Sequence, residues 1–198
     1  MSNRRTFIKQ SFLGGVSLLG VAALNPLSAA VFKKSHTKIT ILHTNDVHSH
    51  IEPFPSNDPK YPNMGGAAKR AALIDQIRTE EKNVLLLDAG DIFQGTPYFN
   101  MFHGVLEMKL MTRLGYDAAT MGNHDFDGGM DGFIRAKEHA DFPFLCSNYD
   151  FKNTPVDGHT VPSTIIEKGC FKVGVFGVGV ELEGLVPANK FGETVYLD

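Results

Sequence analysis

The segment Met121-Gly122-Asn123-His124-Asp125-Phe126-Asp127 joins an apolar run at residues 118–121 to a Gly-Gly turn. This pattern predicts a short strand whose end presents polar side chains, and strand ends are where parallel α/β sheets bind their ligands. Asn123 has an amide oxygen that can bind a hard cation, His124 an imidazole that can transfer a proton, and Asp127 a carboxylate that can orient it. Such a turn is also common without any chemistry, so its meaning depends on other segments.

Two earlier strands are predicted to end in similar residues. Residues 38–44 alternate β-branched and polar side chains and are followed by Asp46 and His48. Residues 84–87 are a continuous apolar run, typical of a strand buried on both faces of a parallel sheet, and they lead to Asp91. Ordinary turn chemistry explains any one of these strand ends. It does not readily explain oxygen and nitrogen donors at three successive ones, which indicate a metal site.

The segments between these strands predict an α/β fold. Helices are expected at residues 66–82, as one helix from Thr96-Pro97 to Gly115, and at about 130–139, with a fourth strand at 142–145. A β-α-β-α-β order is the signature of a parallel sheet with right-handed crossovers. Residues 164–175 predict a hairpin around a Lys-Gly turn.

The glycine-rich run at residues 175–180 invites comparison with a dinucleotide-binding loop. It lacks the third glycine at the required spacing, and no helix is predicted to open after Gly179. We therefore expect these glycines to be strand residues that pack closely against a neighbour.

Residues 1–30 are predicted to be a twin-arginine signal peptide. Arg4-Arg5 precede an apolar run at residues 12–24 and small residues up to Ala30, where cleavage is expected. A membrane anchor is disfavoured because the apolar run is too short to span a bilayer. The mature domain, residues 31–198, is accordingly expected to be exported to the periplasm by the twin-arginine machinery.

The mature part is acidic. Removing Arg4, Arg5 and Lys9 leaves 16 basic against 22 acidic residues, a formal charge of −6. This balance argues against binding to a nucleic acid polymer, which depends on clustered Lys and Arg. In an exported chain Cys146 and Cys170 can form a disulfide, or both can be buried free thiols.

The donors at the three strand ends suit two divalent ions, such as manganese or zinc. We expect Asp46 and His48 to hold one ion, Asn123 the other, and Asp91 to lie between them as a bridging carboxylate. Two such ions about 3.5 to 4 Å apart clamp a phosphoryl group and activate a water molecule as the nucleophile. These donors therefore lead to the hypothesis that the protein is a phosphohydrolase.

The same residues resemble a known family. Asp46-x-His48, Gly90-Asp91 and Gly122-Asn123-His124-Asp125 are similar to the first three blocks of the calcineurin-like metallophosphoesterases. Four further segments make the resemblance more specific: Leu42-His43-Thr44-Asn45-Asp46, Gly65-Gly66 with Lys69-Arg70, Gly90-Asp91-x-x-x-Gly95-Thr96, and His124-x-Phe126-Asp127. They resemble the amino-terminal domain of bacterial 5′-nucleotidases and of the related UDP-sugar hydrolases and cyclic-nucleotide phosphodiesterases. The resemblance implies a four-layer αββα sandwich, a nucleotide substrate, metal ligands at Asp46, His48, Asp91 and Asn123, and a catalytic pair of His124 and Asp127. Asp125 stands where close relatives often have Glu.

The carboxyl-terminal end departs from this family. Its later metal-binding histidine blocks, and the separate domain that stacks the nucleobase, have no counterpart before Asp198, so a truncated sandwich is expected. His36, His43, His50, His103, His139 and His159 are interpreted as ordinary surface or loop residues. One alternative is a metal- or nucleotide-binding fragment without turnover. Another is a PHP-type phosphoesterase, because Asp46-x-His48-x-His50 resembles the opening motif of that class, although Gly122-Asn123-His124 has no place there.

Overall fold

A parallel sheet of three strands forms the centre of the computed structural model, which describes residues 37–197. The strands β1 (Thr40–Thr44), β2 (Val84–Asp88) and β3 (Ala118–Ala119) lie in that order, with β2 in the middle. Thr44 pairs with Asp88 at the carboxyl ends of β1 and β2, so the segments that follow these two strands leave the sheet side by side. The parallel arrangement predicted from the order of elements is confirmed. The predicted signal peptide, residues 1–30, lies outside the described residues.

Within residues 37–197, five α-helices accompany the strands: α1 (Ala67–Glu80), α2 (Pro97–Phe102), α3 (Val105–Leu114), α4 (Gly129–Lys137) and α5 (Ala188–Phe191). The core is rich in aromatic residues and methionine, and its fully buried members include Leu86, Phe93, Met108, Phe126, Phe133 and Phe144. Within residues 37–197, none of the helices has the length and apolar character that crossing a membrane requires.

The prediction of one helix from Thr96 to Gly115 is wrong, because the chain breaks between α2 and α3. His103 and Gly104 both adopt left-handed backbone conformations, with φ of 51° and 87°. A Cβ atom on Gly104 would lie 2.6 Å from the ring of Phe93, so glycine allows the chain to turn over that buried ring. The helical periodicity continues on both sides of the break, which is why the sequence pattern did not reveal it.

The predicted strand at residues 142–145 is also wrong. Only single bridges form there, from Phe144 to Ala119 and from Leu145 to Val161. Pro143 lies within this segment and has no N–H to donate to a neighbouring strand. The segment runs parallel to β3 and extends the sheet by one contact.

The remaining strands form two small antiparallel pairs. β4 (Tyr149–Asp150) pairs with β7 (Val195–Tyr196), and β5 (Ser163–Lys168) pairs with β6 (Phe171–Phe176). The β5–β6 pair confirms the predicted hairpin. The predicted close packing of the glycines is confirmed at Gly177, where a side chain would collide with the Leu145 carbonyl. Their predicted place within a strand is wrong for Gly177 and Gly179, because β6 ends at Phe176.

The two cysteines are both free thiols. Cys146 is buried and Cys170 is exposed. Burial raises the pKa of the Cys146 thiol to about 11, so this group stays protonated at neutral pH. Of the two alternatives left open by the sequence, the structure excludes the disulfide and places one thiol, not both, in the interior.

Asp125 joins the segment after β3 to the segment after β2. Its fully buried carboxylate accepts hydrogen bonds from the backbone N–H groups of Asp91 (3.0 Å), Ile92 (3.0 Å), Phe93 (3.2 Å) and Gly122 (2.8 Å). Four backbone donors from two loops therefore depend on one side chain.

The segment after β1 is attached to the same loop through the backbone. The N–H of Asp46 donates to the carbonyl of Gly90 and the N–H of His48 to the carbonyl of Asp91, both at 3.0 Å. As a result, the three loops that leave the sheet at β1, β2 and β3 form one hydrogen-bonded unit.

We predict that Asp125→Ala strongly destabilises the protein. Two buried N–H groups and two partly buried ones would lose their acceptor, and each buried loss costs about 1 to 3 kcal/mol. The free energy of unfolding in urea should therefore fall by roughly 3 kcal/mol or more. Asp131→Ala, at an exposed position in α4, is the control and should change it little. Equal effects of the two substitutions would contradict this role of Asp125.

Candidate metal centre

Asp46, His48 and Asp91 converge at the carboxyl ends of β1 and β2. One ligand atom from each lies within 4.8 Å of the others. His48 Nε2 is 3.8 Å from Asp46 Oδ1 and 4.0 Å from Asp91 Oδ2. These separations are too long for hydrogen bonds but suit atoms arranged around a common ion. Two carboxylates and an imidazole are a donor set that divalent transition metals accept.

The backbone at these three residues is held in an uncommon conformation. Asp46, His48 and Asp91 have φ values of 50°, 49° and 55°, in the left-handed region that non-glycine residues seldom adopt. Such conformations cost about 1 to 3 kcal/mol each and persist only where the surroundings enforce them. The backbone hydrogen bonds between the loops provide that enforcement, and the strained turns direct all three side chains to one place.

Gly122 allows the third loop to approach Asp91. A Cβ atom at Gly122 would lie 2.5 Å from the Asp91 nitrogen and would overlap its carboxylate. With glycine there, the N–H of His124 reaches Asp91 Oδ1 at 2.9 Å. Asp91 therefore uses one carboxylate oxygen to hold the third loop and directs the other toward His48.

Asn123 begins a 3-10 helix (Asn123–Phe126) between these two contacts. Its chain neighbours Gly122 and His124 both touch Asp91, so Asn123 is placed beside the cluster of three donors. The structure shows direct convergence for Asp46, His48 and Asp91, and proximity through the backbone for Asn123.

His124 and Asp127 form a hydrogen-bonded pair next to the cluster. His124 Nδ1 lies 2.8 Å from Asp127 Oδ2. The bond to Asp127 raises the pKa of His124 above its usual value, while partial burial opposes the shift. The His124 ring lies edge-on to the His48 ring, with 5.0 Å between the centroids. With Nδ1 bonded to Asp127, Nε2 remains for proton transfer to a bound molecule.

Asp88 shapes the turn that carries Asp91, a role that the sequence analysis missed. Its buried carboxylate accepts hydrogen bonds from the Thr44 hydroxyl at 2.5 Å and the Gly90 N–H at 2.9 Å. Burial nonetheless raises the pKa of Asp88 to about 6. An acid in the last position of a buried strand was the available sequence signal.

Asp125, the other missed residue, is an acid inside the motif itself. Burial raises its pKa to about 7, although the N–H donors of Gly122 and Phe93 act in the opposite direction. The bond from the Gly122 N–H has the spacing of three residues that is typical of a helix-capping box. No regular spacing in the sequence connects Asp125 with the N–H groups of Asp91, Ile92 and Phe93. Its role follows from the contact between loops.

Other histidines lie outside the cluster of three donors. Within the described part of the chain, this holds for His43, His50, His103, His139 and His159. His50 instead packs its ring on Phe54, with 4.8 Å between the centroids. His36 lies outside the described residues.

Comparisons with known proteins agree with this geometry. The family model for calcineurin-like phosphoesterases matches residues 39–185, a range that contains every candidate site residue. Among curated relatives, the snake venom 5′-nucleotidase of Crotalus adamanteus is 42% identical over 147 residues, covering 71% of this chain and 25% of that protein. The 5′-nucleotidase of Mus musculus is 39% identical over 168 residues, covering 81% of this chain and 29% of its own length.

Solved structures give the same result. The 5′-nucleotidase precursor from Thermus thermophilus superposes with a TM-score of 0.72 at 33% identity, covering 81% of this chain and 32% of that one. The Haemophilus influenzae NAD nucleotidase gives a TM-score of 0.71 at 28% identity, covering 81% and 29%. The chain thus spans between a quarter and a third of the length of these proteins.

These matches confirm the predicted metallophosphoesterase α/β fold and the predicted family. They also argue against the PHP-type alternative, because the segment Gly122-Asn123-His124 does not fit the motifs of that class. The family is metal-dependent, in keeping with the Asp-His-Asp cluster. The chain belongs to the calcineurin-like phosphoesterase family, and the curated relatives named above are 5′-nucleotidases.

Proposed function

We propose that this chain is the amino-terminal part of an exported, metal-dependent phosphohydrolase that acts on nucleotides as a 5′-nucleotidase. The observation that carries the proposal is the convergence of Asp46, His48 and Asp91 at adjacent strand ends, with the His124–Asp127 pair beside them. The names of the relatives, 5′-nucleotidase and NAD nucleotidase, support a nucleotide as the substrate class.

In this proposal Asp46 and His48 would hold one divalent ion, Asn123 would hold a second, and Asp91 would be shared between the two. Two such ions, manganese or zinc, would supply positive charge for the phosphate oxygens and a water molecule of lowered pKa as the nucleophile. Asp91 keeps one oxygen on the His124 N–H, which fixes the catalytic loop relative to the metal ligands.

His124 and Asp127 act at the scissile bond. The Asp127 carboxylate orients the imidazole through Nδ1 and stabilises its protonated form, as the raised pKa of His124 indicates. His124 Nε2 then donates a hydrogen bond or a proton to the leaving oxygen, where negative charge develops as the ester bond breaks.

Export and domain organisation complete the proposal. Residues 1–30 would direct the chain through the twin-arginine machinery to the periplasm, leaving residues 31–198 as the metallophosphoesterase domain. The Thermus thermophilus relative is described as a precursor, which supports a removable leader. A separate nucleobase-binding domain would complete substrate recognition.

A second candidate is a metal- or nucleotide-binding fragment without turnover. It is favoured by the small number of donors, because only three carboxylate and imidazole side chains converge within residues 37–197. The two candidates differ in whether phosphate is released.

We predict that Asp91→Asn weakens Mn²⁺ binding more than Asn123→Ala does. In the proposed site Asp91 would be shared between the ions, whereas Asn123 would bind one ion. Asp91 also holds the third loop through the His124 N–H. The dissociation constant for Mn²⁺ should rise by more than the roughly 10- to 100-fold that is typical of losing a supporting residue. Equal losses in a calorimetric titration of the two variants would argue against a bridging role.

His124→Asn is expected to reduce catalysis while leaving metal binding intact. General acid-base groups contribute about 10² to 10⁴ in rate. In a form that hydrolyses nucleotides, kcat should fall within that range, with metal content unchanged in elemental analysis. The exposed His103→Asn is the control and should retain full activity. Loss of bound metal in His124→Asn would instead assign His124 to the metal ligands.

The chain of 198 residues, freed of residues 1–30, should release little or no phosphate from AMP. Asp46, His48, Asp91 and Asn123 are four side chains for two ions that each require four to six ligands, so the ions would be held weakly. Misplacement of reacting groups by about 1 Å already costs about 100-fold in rate. Phosphate release and metal titration test this expectation, and tight binding of two ions with ready turnover would contradict it.

A further inference from the structure

A small cavity lies behind the metal centre, where the loops after β1 and β2 meet helices α1 and α3. Its volume is about 10 Å³, close to the minimum for a single water molecule on this measure. The wall combines apolar residues with ionisable ones: Val47, Ile51, Arg70, Asp88, Ile92, Glu107 and Tyr116.

Two charged groups on this wall have unsatisfied polar atoms. Glu107, in α3, is 3% exposed, and neither of its carboxylate oxygens has a hydrogen-bond partner among the described residues. Arg70, in α1, has a buried Nε–H that is also without an acceptor there. Burying such groups without partners costs several kcal/mol, so native proteins pair them directly or through ordered water.

The remaining polar groups on the wall already have partners. Asp88 accepts hydrogen bonds from Thr44 and Gly90, and the Tyr116 hydroxyl lies 2.7 Å from the Thr44 hydroxyl. Among residues 37–197, Arg70 is the one cationic side chain that lines the cavity. In the described part of the chain, the Arg70 nitrogens and the Glu107 carboxylate oxygens are more than 4.0 Å apart, which is too far for a direct ion pair.

We propose that Arg70 and Glu107 form an ion pair bridged by one water molecule in this cavity, and that the pair positions the metal-binding loops from behind. The water accepts the Arg70 Nε–H and donates to the Glu107 carboxylate, so each unsatisfied group gains a partner. Val47 follows Asp46, and Ile92 follows Asp91, so the apolar part of the wall is made of neighbours of the metal ligands. The positioning role rests on the proposed metal site, whereas the ion pair does not.

A double-mutant cycle in the full chain tests the ion pair. Removing one partner leaves a buried uncompensated charge, whereas replacing both with apolar residues removes the problem. Arg70→Met and Glu107→Leu should each lower the urea midpoint, and the double variant should have a higher midpoint than either single variant. Lys109→Met, at an exposed position in α3, is the control and should leave the midpoint unchanged. Additive losses would overturn the ion pair.

Mn²⁺ titration followed by electron paramagnetic resonance tests the positioning role with a milder variant. Glu107→Gln keeps the side-chain shape and leaves Asp46, His48 and Asp91 in place, yet it should raise the Mn²⁺ dissociation constant by about 10-fold, as for other supporting residues. Glu80→Gln, at an exposed position in α1, is the matched control and should not change it. Unchanged Mn²⁺ affinity in Glu107→Gln would overturn the positioning role. Failure of the unmodified chain to bind Mn²⁺ would instead count against the proposed metal site, and the urea cycle would still decide the ion pair.

Discussion

The buried Asp125 carboxylate accepts hydrogen bonds from four backbone N–H groups, and the geometry of the site depends on these bonds. The carboxylate fixes the backbone on both sides of Asp91 and ties that loop to Gly122. Since Asp91 in turn holds the His124 N–H, the position of the His124–Asp127 pair follows from the same carboxylate. A side chain that touches no substrate in the proposed mechanism thus determines where the reactive groups lie.

Several acidic side chains lie close together at the ends of β1, β2 and β3. Ionising them there costs free energy, which a bound cation would offset. Burial raises the pKa of Asp88 to about 6 and that of Asp125 to about 7, and the nearby Asp46 and Asp91 add to these shifts. Divalent cations are often the largest charges in such a site and reverse its electrostatics. The strained, left-handed backbone at Asp46, His48 and Asp91 fits the same interpretation, because strain of this kind concentrates at ligand-binding positions.

The support for the site comes from two directions. On the sheet side, backbone hydrogen bonds and Asp125 join the loops to one another. On the helix side, Arg70 of α1 and Glu107 of α3 line the cavity behind the site. Val47 and Ile92, which follow Asp46 and Asp91 in the sequence, line the same cavity. In this arrangement, Asp46 and Asp91 are held both through the backbone of their own loops and through the helices packed beneath them.

The sequence by itself determined the elements that depend on local pattern. The three parallel strands, the hairpin and the residues placed at each strand end follow from hydrophobic periodicity and turn residues, which act over a few positions. Features set by distant contacts were decided only by the tertiary structure. The break at His103-Gly104 depends on the Phe93 ring, and the segment at residues 142–145 forms only bridges. Three of the four backbone donors to Asp125 lie more than 30 residues away along the chain. Arg70 and Glu107 line one cavity because the helices α1 and α3 pack together. Such long-range contacts leave no regular pattern in the sequence, because the spacing of residues along the chain does not specify which loops and helices pack together.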